Sequence, residues 1–182
     1  MKIMTGKMFL FVAIISVFFI DGCDSGLSEN DKKKLTEYCT NGDANLYTGH
    51  YDKAIEEYNK AIEIDPNDAS IYVNRGRAKQ ENGDYREAIK DYSKAIEVDP
   101  KHSTSYGHRG FIKFELGDKR GAIEDFSKAI NLDPKNENIG GWYYNRGVAK
   151  FQIGLEGGCI DLSKAGEQGM MEAYELINEF CK

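Results

Sequence analysis

The chain offers few side chains to which chemistry could be assigned: four cysteines, three histidines and a large set of carboxylates. His50, His102 and His108 have no metal-type spacing to one another or to a cysteine. His50 and His102 fall in expected turns. Asp91, Asp125 and Asp161 hold one place of an internal repeat, so they are read as architecture and not as an acid–base set. No glycine-rich phosphate loop, nucleophile elbow or zinc motif occurs. Cys39 has no histidine near it in sequence to activate it, and reads as a core or groove thiol. Cys159 and Cys181 lie at similar distances from a turn near Gly169, which sets them side by side in an antiparallel helix pair. There they either form a disulfide or serve as two buried apolar thiols. A bond would close a loop of about 23 residues and contribute roughly 3 kcal/mol. No catalytic, cofactor-binding or metal-binding residue is expected, and the chain does not read as an enzyme.

The elements that position these groups come from self-similarity. Asp65-Pro66, Asp99-Pro100 and Asp133-Pro134 recur at an interval of 34 residues. Lys60-Ala61-Ile62, Lys94-Ala95-Ile96 and Lys128-Ala129-Ile130 return in register, and Gly49, Gly83, Gly117 and Gly154 mark the middle of each unit. Tyr72, Arg75, Gly76 and Lys79 fall three and four apart, the spacing of one helical face. Gly76, Ala88 and Ala95 allow two helices to approach closely, with Tyr92 filling the space between them, as Tyr58 and Phe126 do in their units. Gly83 suits the left-handed position that ends a helix. Asp84 is expected to cap the next helix with its side chain, and Pro100 to stop it.

This period and these places closely resemble the tetratricopeptide repeat, a helix–turn–helix unit. The resemblance implies an all-α, right-handed solenoid of about four units over 35–68, 69–102, 103–136 and a degenerate 140–168. A capping helix follows within 169–182, where Met171, Tyr174, Leu176, Ile177 and Phe180 keep helical spacing. In such arrays the first helices line a concave surface. The resemblance places Asn74, Arg77, His108, Phe111, Phe114, Tyr144, Asn145 and Phe151 in or beside that groove, the aromatics forming an apolar floor in the third and fourth units. Co-chaperones of this family hold an acidic peptide terminus with lysine, arginine and asparagine at fixed places. Those places here carry Cys39, Asp43, Asn74, Thr104 and His108, and the clamp is absent.

Residues 1–22 read as a secretory signal: Lys2 and Lys7 precede an apolar run from Met8 to Ile20 too short to span a bilayer. Ile20-Asp21-Gly22-Cys23 resembles a bacterial lipobox, with Asp21 the one departure, and implies acylation of Cys23. Residues 23–34 read as a tether. Loss of the signal takes the net charge from −6 to −7, which argues against nucleic acid. The expected protein is an extracytoplasmic, membrane-tethered scaffold with a protein or peptide partner. The alternative is an assembly subunit of an envelope complex that uses its edges or convex face.

Overall fold

The structure, a computed structural model, describes residues 26–181. The expected signal segment and Cys23 lie outside the described residues. The described chain is a series of helices with no strand: α1 (Glu29–Tyr47), α2 (Tyr51–Ile64), α3 (Ala69–Glu81), α4 (Tyr85–Val98), α5 (Ser103–Glu115), α6 (Lys119–Leu132), α7 (Ile139–Gln152), α8 (Gly158–Glu167) and α9 (Met171–Phe180). The tether is shorter than expected. Ser28 Oγ accepts from Asp31 N at 3.2 Å, and this cap starts α1 at Glu29.

Two kinds of turn alternate. Within a pair, Gly49, Gly83, Gly117 and Gly154 adopt φ of 76°, 85°, 88° and 69°, conformations that L side chains rarely take. Asp84 N donates to Lys79 O and Asp118 N to Lys113 O, both at 2.8 Å, which closes the helix end across the glycine. Between pairs the aspartate of Asp-Pro shapes the turn. Asp65 Oδ1 and Asp99 Oδ1 each accept at 2.9 Å from the amide two residues on, Asn67 N and Lys101 N. The expected side-chain cap by Asp84 is not formed. Its carboxylate instead accepts from Asn82 Nδ2 across the turn at 3.0 Å, so the side chain braces the loop and leaves the helix amides alone.

The helices pair as α1–α2, α3–α4, α5–α6 and α7–α8, each second helix packs on the first helix of the next pair, and α9 packs on α8. A side chain on Gly42, Gly76 or Gly110 would crowd the ring of Tyr58, Tyr92 or Phe126, with a Cβ at 2.6, 2.8 and 3.2 Å from the nearest ring carbon. Leu162 takes the aromatic's place in the fourth pair, against Gly147.

A polar network is superimposed on this packing and repeats with it. Arg75 Nε and Nη2 grip Asp91 at 2.9 and 2.6 Å, Lys79 Nζ reaches the same carboxylate at 2.8 Å, and Arg75 Nη1 donates to Asn59 of the preceding pair at 2.6 Å. Arg109 repeats the grip on Asp125 with Lys113, and reaches back to Ser93 at 3.1 Å. Arg146 repeats it on Asp161 with Lys150, and reaches back to Ser127 at 3.0 Å. Each arginine also lies over the ring of a tyrosine three residues earlier, Tyr72, Tyr106 or Tyr143. The first pair has Asn41, Asn45 and Glu57 at these places, and Glu57 pairs with Lys60.

The packing predicts the outcome of Gly76→Leu. Leucine is the better helix former, but its Cβ enters the Tyr92 ring. The variant is expected to lose about 1–3 kcal/mol, seen as a thermal midpoint lower by several degrees. A fall of less than a degree would contradict the close-approach role of Gly76.

Candidate functional site

First helices touch along the array, α1 with α3, α3 with α5 and α5 with α7, while no comparable contact joins α2 to α4, α4 to α6 or α6 to α8. The array therefore curves with its first helices on the inside. Its N-terminal stretch opens into a cavity of about 520 Å³. From α1 come Asp43, Leu46 and Tyr47, from the start of α2 Tyr51, and from α3 Asn74, Arg77 and Glu81.

The lining is built as well as exposed. Asp43 Oδ1 accepts from the hydroxyl of the buried Tyr58 at 2.6 Å and from Asn74 Nδ2 at 3.4 Å. Burial, and then the bond to Asp43, push the Tyr58 phenol well above its ordinary pKa, so it stays a donor. Tyr47 is 93% exposed, an aromatic ring given almost wholly to solvent. Arg77 and Glu81, one turn apart on α3, make no ion pair among the described residues.

The residues expected in the groove divide. Asn74 and Arg77 stand together in the cavity. His108 is stacked on Tyr92, centroids 5.3 Å apart and planes 11° apart. Phe111 wedges between the core of the second pair and that of the third. Phe114 packs in the latter core with Lys119 Nζ over its ring at 3.8 Å. Tyr144 packs against the core beneath α9, and Phe151 meets Phe180 of α9 at 6.0 Å. Asn145 is half-buried on α7. These aromatics pack in part against neighbouring pairs or α9 while remaining partly open to solvent, Phe151 most of all. Sequence reading passed over Leu46, Tyr47 and Tyr51. The signal was present: Tyr47 holds the place that Glu81 and Glu115 hold in the next two units, an aromatic where the repeat is acidic.

The remaining reactive groups are engaged or sheltered. Cys159 and Cys181 are bonded, with Cα atoms 5.8 Å apart, tying the start of α8 to the end of α9. The half-buried Cys39 thiol is raised above its ordinary pKa, by burial first and then by Asp43 and Asp68, which leaves it protonated and a poor nucleophile. Among the described residues no cluster of three or more His, Cys, Asp or Glu could hold a metal ion. Nor is any described helix long and apolar enough to cross a membrane.

His108, stacked on Tyr92, gives the fold a dependence on pH. Burial first, then Arg77 and His102, lower its pKa from 6.5 to about 4. The folded chain thus binds fewer protons at His108 than the unfolded chain between those values, and stability falls as pH drops below about 6.5. The contribution lost by pH 5 is about 2 kcal/mol. His108→Phe keeps a ring on Tyr92 and removes the titration. Thermal midpoints at pH 7 and pH 5 should differ by less in the variant than in the parent; equal differences would contradict the assignment.

Known proteins give this geometry a context. A family model described as "TPR repeat" matches residues 42–83 and 110–154, and one described as "Tetratricopeptide repeat" matches 69–102. No curated protein sequence matches the chain. Among solved structures, the MamA protein superposes with a TM-score of 0.69 at 25% identity, over 79% of this chain and 78% of that one. The second TPR domain of human RPAP3, solved in complex with the HSP70 peptide SGPTIEEVD, gives 0.60 at 28% identity over 66% and 98%. Pseudomonas aeruginosa pilF gives 0.74 over 83% and 71%, and at 18% identity the likeness is one of fold. With its repeat period, its paired helices and its glycine–aromatic contacts all in agreement, the chain belongs to the tetratricopeptide-repeat family.

Proposed function

We propose that the chain is an extracytoplasmic scaffold, tethered to a membrane through Cys23, that holds an extended segment of a partner protein along the inside of its curve. The observation that carries the reading is the cavity between α1 and α3. There the exposed Tyr47 ring stands beside Arg77 and Glu81, which have no ion-pair partners among the described residues. Structural relatives support it: the RPAP3 domain and the TPR2B domain of yeast Sti1, the latter in a pHsp70 complex at 27% identity, are both seen with peptide or partner bound. The reading includes no catalysis, since Asp91, Asp125 and Asp161 are each held by an arginine and a lysine.

A second reading, an assembly subunit of an envelope complex, is favoured by the C-terminal end. There Ile160, Met171, Tyr174 and Phe180 are exposed apolar side chains on α8 and α9. Cross-linked capture from the protein's own membranes separates the two. A partner lost from a folded Tyr47→Ala, Arg77→Glu variant supports the groove. A partner kept by that variant and lost from Ile160→Lys moves the interface to the end of the array.

Tethering has its own test. Cells fed a fatty acid that can be tagged should label the parent protein, and Cys23→Ser should abolish the label and release the chain to the soluble fraction. An unlabelled parent would remove the lipid anchor from the proposal.

A further inference from the structure

The cavity between α1 and α3 has a polarity. Asp43 is held in place through Oδ1 by a buried phenol, while its Oδ2 accepts no hydrogen bond among the described residues. A carboxylate so placed keeps lone pairs for an incoming donor, and its position is fixed before that donor arrives. Glu81 lines the same cavity from α3, also without an ion-pair partner among the described residues. Against these two acids the lining sets one cation, Arg77, and two aromatic rings, Tyr47 and Tyr51. The chain as a whole carries −6.

We propose that this cavity takes a lysine or arginine side chain from the partner's extended segment. The inference rests on the groove reading above and adds the chemical class of what the groove accepts. The incoming cation meets Asp43 and Glu81, and its aliphatic stem lies on Leu46 and the two tyrosines, whose ring faces attract positive charge. Arg77 and Asn74 have donors suited to the carbonyls of an extended backbone. An acidic segment would set its carboxylates against Asp43 and Glu81 and be repelled. This is the opposite preference to the acidic HSP70 peptide held by the RPAP3 domain. The difference has a visible source, since Asp43 brings a negative charge to a place where the co-chaperone clamp needs a neutral or positive donor.

The experiment is selection of a displayed library of random linear peptides on the full chain in detergent, followed by affinity measurement on three proteins. These are the parent, Asp43→Asn with Glu81→Gln, and Tyr47→Ala, each with its melting curve checked. The amide introduced by Asp43→Asn retains an acceptor for Tyr58, so the double change removes charge and keeps the packing. The expected result is enrichment of lysine and arginine over aspartate and glutamate. Binding of the best peptide should weaken roughly tenfold in the double variant and decline with added salt. Peptides that are neutral or acidic, or that bind the double variant as well as the parent, overturn the cation preference. If Tyr47→Ala still abolishes their binding, the groove reading survives. No enrichment on the parent, or binding indifferent to Tyr47→Ala, overturns the groove reading and this inference with it.

Discussion

The architecture depends on a carboxylate shared by two cations. In the second, third and fourth pairs an aspartate on the second helix, almost fully buried, receives both an arginine fork and a lysine from the first helix. The arginine has a donor left over, and uses it on the second helix of the preceding pair. One side chain thus joins two helices within a unit and a third across the joint. Such an arrangement costs desolvation on every partner, and its net contribution to stability need not be large. Its value lies in what happens when it is broken. Loss of the aspartate would leave two cations poorly solvated and unpaired, a defect of about 3–5 kcal/mol. Register is therefore enforced: a unit rotated or slipped against its neighbour places charges where nothing answers them.

The apolar contacts act with this network, because both follow one period. Gly76 sits next to Arg75 in sequence, so the place that brings the helices together also aims the guanidinium at Asp91. Tyr72, under Arg75, donates its hydroxyl to Pro66 O at 3.1 Å and so connects the turn between units to the ion pair. Packing, turn and charge reinforce one another locally, the condition under which a short repeat specifies one structure. Residues outside the network are free to vary, and the inner face shows it. Asp43, Arg77, Phe111 and Val148 occupy successive equivalents of one place.

This freedom explains what the sequence could and could not disclose. The Asp-Pro interval and the mid-unit glycines are dictated by turn geometry, and the recurring Tyr58, Tyr92 and Phe126 by packing, so they were legible as fold. Asn59, Ser93 and Ser127 were not legible as partners, since short polar residues on a helix carry no mark of which arginine will reach them. The packing of the aromatics of the third and fourth units was hidden for a related reason. On a first helix the inward positions adjoin those that contact the neighbouring pair, and spacing alone does not tell a groove residue from a wedge such as Phe111. Tyr47 marked the open surface more clearly, because it breaks the pattern of the repeat.

The first pair lacks the shared-carboxylate network, while at the opposite end a covalent bond holds α9 to α8. In an array whose units touch only their neighbours, such a difference makes a gradient of stiffness. The gradient runs from a soft end, which contains the cavity, to a clasped end, which does not. An occupant resting on α1 and α3 would add to the links that already cross that joint, Arg75 to Asn59 and Asn74 to Asp43, and would brace a pair that has no shared-carboxylate network of its own. Recognition would then also stiffen that end, the partner sharing in the scaffold's own bracing.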